Sequence, residues 1–147
     1  MYQKILVPLD GSKRAERILP HVQELARRFD SEIVFLRVIE SITALMGAHV
    51  DTPGLYLDAY ENMRNEAREY LAGMQGEFRQ MGIKARTIIE RGPVVNKIIQ
   101  LANAEQSDLI AMASHGRSGL SRVFYGSVAA GVLQQIDRPL LLIRADD

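Results

Sequence analysis

Asp108-Leu109-Ile110-Ala111-Met112-Ala113-Ser114-His115-Gly116 is the stretch that decides the fold. Leu109 to Met112 form an unbroken apolar run, too short for an amphipathic helix, and read as a strand buried on both faces. A segment of glycine, small hydroxyl residues and arginine follows from Ala113 to Ser127. It delivers the chain into a helix over 126–136 whose apolar face is Val128, Val132, Leu133 and Ile136. In α/β proteins a strand, a small-residue loop and a helix start form a site for phosphate, because backbone N–H groups and the helix dipole together attract an anion.

Working outward, the same alternation recurs. Lys4 to Leu9 reads as a buried strand, closed by Pro8 and then Asp10-Gly11-Ser12. Ala15, Ile18, Leu19, Val22, Leu25, Ala26 and Phe29 repeat at three and four, which predicts a helix ending at Asp30-Ser31. Ile33 to Ile39 is β-branched and aromatic, and its interior Arg37 marks a position near an edge or a site. Periodicity is lost over 40–55, where Gly47, Pro53 and Gly54 predict an irregular connection of the kind that serves as a lid. Tyr60, Met63, Ala67, Tyr70, Leu71, Met74, Phe78 and Met81 predict a long helix over 57–81, stopped by Gly82, with the methionines as core. A third strand is expected over 83–90. Arg91-Gly92-Pro93 then opens a helix with proline at its first position and Val94, Val95, Ile98, Ile99 and Ala102 inside. Arg138-Pro139 leads to the closing strand, Leu140 to Ile143.

Five short apolar strands alternating with four helices predict an α/β fold. It is a single-domain, open, five-stranded parallel sheet over residues 1–147, with helices on both faces if the strand order reverses once. Ligands in such Rossmann-like folds bind at the carboxyl ends of the strands where the order reverses. If strands one and four flank the reversal, Asp10 faces the segment after Ala113 across one crevice.

The bulk composition narrows the function. The chain has 147 residues, 47% hydrophobic and 24% charged, with 18 basic residues against 18 acidic ones. This is ordinary globular composition, and the interleaved charges read as solvated helix surface and argue against a nucleic-acid partner. No cysteine is present, so disulfides, thiolate metal sites and a cysteine nucleophile are excluded. No apolar run approaches the roughly 20 residues that cross a bilayer. The chain enters a strand at once from Met1, without the regions of a signal peptide, so a cytoplasmic location and no membrane partner are expected.

Fixed-spacing phosphate motifs are absent: there is neither G-x-x-x-x-G-K-[ST] nor G-x-G-x-x-G. Gly116 and Gly126-Ser127 by themselves read either as an anion site or as a turn and a helix cap. Asp10 is either a ligand contact or an N-cap. Arg117 and Arg122 either pair with phosphate oxygens or solvate the surface, and His115 reads as a loop hydrogen-bonder in preference to a base. His21, His49 and His115 lack metal-ligand spacing, and no nucleophile elbow or spaced carboxylate pair occurs. No catalytic residue is assigned, and slow hydrolysis is the most the sequence indicates.

Six segments together resemble the universal stress protein family. They are Lys4-Ile5-Leu6-Val7-Pro8-Leu9-Asp10-Gly11-Ser12, Arg91-Gly92-Pro93, Asp108-Leu109-Ile110, Ser114-His115-Gly116-Arg117, Gly126-Ser127-Val128 and Arg138-Pro139-Leu140-Leu141-Leu142-Ile143. The resemblance spans the chain in order and spacing. It implies a Rossmann-like sheet in the order 3-2-1-4-5 and ATP binding in the crevice, with Mg²⁺ carried by the nucleotide phosphates, in a homodimer paired through the last strand and acting on an unknown regulatory partner. The family pattern G-2x-G-9x-G-[ST] falls on Ala113, Gly116, Gly126 and Ser127, with alanine in place of the first glycine. By the same resemblance Pro8, Leu9, Asp10, Val38, Met112, Ala113, His115, Gly116, Arg117, Gly126, Ser127 and Val128 surround the adenine nucleotide. Asp10 lies against ribose and adenine, and the Val38 main chain against the adenine edge. Family members without the glycine pattern imply one alternative, an interaction module that binds no nucleotide; a second alternative is an enzyme, a weak ATPase or a hydrolase of another nucleotide-like compound.

Overall fold

The structure is a computed structural model that describes residues 1–40, 53–114 and 126–145. Strands β1 (Lys4–Pro8), β2 (Glu32–Ile39), β3 (Lys84–Arg91), β4 (Leu109–Ala113) and β5 (Leu140–Ile143) form one parallel sheet in the order β3-β2-β1-β4-β5. The helices are α1 (Leu19–Phe29), α2 (Pro53–Gln80), α3 (Val94–Ala104) and α4 (Ser127–Gln135).

Side-chain alternation along the central strands divides the interior into two cores. Ile5 and Val7 of β1, Ile33 and Phe35 of β2, and Leu109 and Ala111 of β4 meet Val22 of α1 and Leu71 and Phe78 of α2. Leu6, Val34, Leu36, Ile110 and Met112 project the other way, onto Ile98 of α3 and Val132 of α4. Continuous apolar runs are therefore required in β1, β2 and β4, since each residue faces one layer or the other. Phe35 and Phe78 meet edge to face at 4.9 Å and 86°, which joins α2 to the middle of the sheet. β3 and β5 depart from two-sided burial. All four residues of β5 and most of β3 are only half-buried or exposed, because each strand forms an edge.

Prolines account for most of the shifts in helix boundaries. The first helix does not begin as an α-helix at Ala15: residues Ala15–Ile18 form a 3₁₀ turn, and α1 starts at Leu19 with Pro20 in its first turn, where a missing N–H costs nothing. α2 starts at Pro53, so residues 53–55 are helical where an irregular connection was expected. Pro93 caps α3 with ψ 127° and is not its first helical residue. Residues 41–52, which carry the rest of the expected lid, lie outside the described residues.

Two polar anchors set the register at the amino-terminal edge of the sheet. The Asp108 carboxylate accepts from the backbone N–H of Gln3 at 2.8 Å and of Lys4 at 3.2 Å, while Asp108 N–H donates to Lys4 O at 3.0 Å. Arg138 Nη1 donates to Ala102 O and Ser107 O, both at 2.7 Å, and Nη2 donates to Asn103 Oδ1. One guanidinium thus adds a second donor to Ala102 O, which also accepts from Ser107 N–H at 2.9 Å, and ties the end of α3 to Ser107 O in the turn that follows. Across the second core, α3 and α4 approach so closely that a Cβ on Gly131 would stand 2.7 Å from Val95 Cγ2.

Arg138→Ala should lower stability by about 2 kcal/mol, since three hydrogen bonds from a charged donor are lost while Ala102 O keeps only its bond from Ser107 N–H. For a chain of this size that is a fall in Tm of roughly 4–8 °C, read by thermal circular dichroism, with Arg138→Lys recovering less than half. Gly131→Ala should destabilise by about 1 kcal/mol despite alanine's better helix propensity, because the methyl collides with Val95. Combining it with Val95→Ala should cost less than the sum of the single changes, a coupling of about 1 kcal/mol in a urea double-mutant cycle.

Candidate functional site

The chain leaves β1 toward α1 on one face and β4 toward α4 on the other, so the two strands part at their carboxyl ends. Their paired register stops at Leu6↔Ile110, although β1 continues beside β2 to Pro8↔Leu36 and β4 beside β5 to Ala113↔Ile143. Proline supplies a local cause. Leu9 N–H donates to Leu36 O at 2.8 Å, so the neighbouring Pro8 turns its nitrogen toward β4, and that nitrogen has no hydrogen to give.

The cavity in this crevice has a volume of ≈ 320 Å³, within the size range of small-molecule sites. Its apolar wall comes from Pro8, Leu36, Val38, Val94, Ile98 and Met112, its charged groups from Asp10, Arg37 and Glu40, and Met63 of α2 reaches its rim. Ala113, Ser114, Gly126, Ser127 and Val128 close the side toward α4.

That side is rich in donors. Gly126, the N-cap of α4, has φ −58° and ψ 156°, and no side chain caps the helix. Ala130 N–H is the first to find a carbonyl within α4, that of Gly126, at 2.9 Å. The amides of Ser127, Val128 and Ala129 precede it and have no acceptor among the described residues. Ser114 stands beside them. Its N–H donates to Ile143 O at 2.7 Å, its carbonyl accepts from Gly126 N–H at 2.8 Å, and its buried Oγ has no partner among the described residues. A buried hydroxyl without a hydrogen bond costs about 1–3 kcal/mol, so a group that entered the cavity beside it would gain a hydrogen bond.

On the opposite side, Asp10 Oδ1 accepts from Ser12 N–H at 2.9 Å, an Asx turn through Gly11 at φ 87°, where a side chain would be strained. Ser12 Oγ, not Asp10, accepts from Ala15 N–H at 3.1 Å and caps the 3₁₀ turn. Asp10 is thus not the helix cap. Tyr70 OH donates to Glu16 Oε2 at 3.0 Å. Its phenol is held well above the ordinary value, first by burial, then by that bond and by the carboxylates of Glu16 and Asp10, with Arg37 opposing. Arg37 Nη1 donates to Val38 O at 2.9 Å.

Of the twelve residues singled out in sequence, Pro8, Leu9, Asp10, Val38, Met112, Ala113, Gly126, Ser127 and Val128 line this one cavity. His115, Gly116 and Arg117 lie outside the described residues, as does Arg122. Ala113 is the last residue of β4 and is not among the residues of positive φ, so its backbone makes no demand that alanine fails to meet. Sequence reasoning missed Ser114, Glu40 and Met63, and left Arg37 unassigned between edge and site. Only Arg37 had carried a signal, a charge inside an otherwise apolar strand. Among the described residues no helix is long and apolar enough to cross a membrane.

Known proteins with this architecture agree over the full length. A universal stress protein of Methanocaldococcus jannaschii is 28% identical over 98% of this chain and 83% of its own. Universal stress protein YxiE of Bacillus subtilis is 29% identical over 98% of this chain and all of its own. The solved structure of the M. jannaschii protein MJ0577 superposes with a TM-score of 0.89 at 28% identity, covering 100% of this chain and 99% of that one. Two more distant structures share the fold at 17% identity, a universal stress protein in complex with cAMP and an Arabidopsis thaliana family protein with AMP bound, with TM-scores of 0.71 and 0.70. The Universal stress protein family profile matches residues 1–144, and the chain belongs to that family.

Proposed function

We propose that residues 1–147 form one universal stress protein domain that binds an adenine nucleotide, ATP by preference, in the β1/β4 crevice and passes on its occupancy as a regulatory signal. One observation carries the reading: the cavity is apolar between Val38, Val94, Ile98 and Met112, and rich in donors at the start of α4. A purine fits the first surface. A phosphate fits the second, where the Ser127, Val128 and Ala129 amides, the helix dipole and the Ser114 hydroxyl converge. Asp10 would face the ribose hydroxyls. Mg²⁺ would arrive with the triphosphate, coordinated by phosphate oxygens and water, and His115, Gly116 and Arg117 would complete the phosphate side. The reading needs no turnover, and the chain would act in the cytoplasm through a protein partner that senses the bound state.

Calorimetry with ATP and Mg²⁺ tests it. The folded protein should bind, and the absence of heat at millimolar nucleotide would overturn the proposal. Gly126→Val should weaken binding at least about tenfold through a branched side chain at the phosphate approach, with an unchanged circular dichroism spectrum, since φ −58° and ψ 156° suit any residue. Ser114→Ala should act in opposite directions on binding and stability. ATP affinity should fall about fivefold, and the ligand-free protein should gain about 1 kcal/mol because a bare buried hydroxyl is removed.

The homodimer belongs to the same proposal, with β5 as its seam. Ser114 N–H donates to Ile143 O and Ile110 N–H to Pro139 O, so the backbone groups of Leu140 and Leu142 face away from β4. An exposed strand edge of this kind invites antiparallel pairing with a second copy. Light scattering should give a dimer for the wild type and a folded monomer for Leu142→Pro, which removes an outward N–H and leaves the bonds to β4 in place.

A further inference from the structure

The first half of α2 overhangs the sheet and still reaches the crevice. Among its described residues no side chain is buried before Ala67, yet Met63 lies at the cavity rim. Tyr60 stands three residues before Met63, on the same face of the helix. The Arg91 guanidinium lies over the Tyr60 ring, 5.0 Å from its centroid, a cation–π stack. Arg91 is well fixed at its own backbone: it is the last residue of β3, it pairs with Ile39 of β2, and the Gly92 N–H that follows donates to Ile39 O at 3.0 Å. Val38 and Glu40, on either side of Ile39, line the cavity, whereas Tyr60 and Arg91 stand outside its lining. The stack therefore ties the overhang of α2 to the strand ends that bound the crevice.

Resting on the nucleotide reading above, we propose that Arg91 is a positioning residue that sets how long a bound nucleotide stays, because its stack on Tyr60 seats α2 so that Met63 walls the cavity. Before Ala67 the helix has no fully buried side chain to hold it, so one stack is a sizeable share of what orients it. An exposed stack shifts the balance between a seated and a displaced helix about two- to fivefold. Displacement withdraws Met63 and opens the rim. A nucleotide then leaves faster, and its entry is not slowed, since entry uses the same opening.

Hydrogen exchange on the ligand-free protein tests the seating, and surface plasmon resonance with ATP and Mg²⁺ over the immobilised protein tests its consequence. In Arg91→Gln, the amides of residues 57–66 should exchange about two- to fivefold faster while those of 68–80 keep their wild-type rates. ATP should dissociate faster by a similar factor, and its association should hold or rise. Tyr60→Leu, which keeps the arginine, should do the same, and the double variant should show less than the product of the two effects. Arg91→Lys, which keeps a cation over the ring, should recover part of both. Met63→Ala should speed dissociation with exchange near wild type. Unchanged exchange in both single variants, or faster exchange with unchanged dissociation, would overturn this role and leave the nucleotide site standing. Slower association in Arg91→Gln but not in Tyr60→Leu would make Arg91 a long-range attractor of the anion and overturn the role as well. Failure of the folded wild type to bind ATP would overturn the underlying reading along with it.

Discussion

One missing hydrogen bond donor shapes the crevice. At Pro8 the edge of β1 that faces β4 offers no N–H, and the register between the two strands ends at Leu6↔Ile110. The divergence would be shallow if both chains left the sheet on the same side, but right-handed crossovers send β1 to the α1/α2 face and β4 to the α3/α4 face. Proline and topology therefore act on the same point. The gap exposes the carboxyl ends of two strands and the amino end of α4, and every polar feature of the site is a consequence of that exposure.

The crevice spends few charges. Its α4 side relies on backbone amides and one serine hydroxyl, and its side chains of opposite sign, Asp10 and Glu40 against Arg37, leave no strong field within the described lining. This agrees with a chain whose 18 basic and 18 acidic residues balance. An anion held by oriented amides is recognised by geometry more than by long-range attraction, so its capture should depend weakly on ionic strength. The ion pairing elsewhere is half-exposed and peripheral. Lys4, Glu32, Arg86 and Glu105 form their network at the opposite edge of the sheet from the crevice, where it serves strand register.

The legible part of this fold was the part governed by burial. Leu109 to Met112 and Ile5 to Val7 must each satisfy two cores, and no polar residue could stand there without showing in the sequence. Strand order did not follow from that pattern, since the crossover rule admits several orders, and came with the family resemblance. Helix starts were less legible because Pro20, Pro53 and Pro93 are each compatible with a cap, a first turn or a connection, and only tertiary packing chooses among them. Ser114 was invisible for a different reason. A serine after a strand is ordinary in composition, and what distinguishes it is a solvation state: 2% exposure and an Oγ with no partner among the described residues. Met63 was assigned to packing by its helical spacing, but α2, at 28 residues, has no buried side chain before Ala67 among its described residues. A helix of that length runs about 42 Å, longer than the strand it covers, so its first half extends past the sheet and brings Met63 to the cavity rim.

The arrangement also explains why alanine is tolerated at position 113. The demand for glycine at a phosphate loop is either conformational, for positive φ, or steric, for close approach of backbone. Ala113 meets the first because it still belongs to β4 and pairs with Ile143 of β5. Its methyl is 8% exposed, which leaves it packed in the wall instead of projecting into the space where the α4 amides point. The burden of close approach then falls on residues past the strand, and among those described it falls on Gly126, whose N–H is committed to Ser114 O. That bond ties the start of α4 to the end of β4. Ser114 N–H in turn donates to Ile143 O, so the start of α4, the end of β4 and the end of β5 are joined by two consecutive hydrogen bonds.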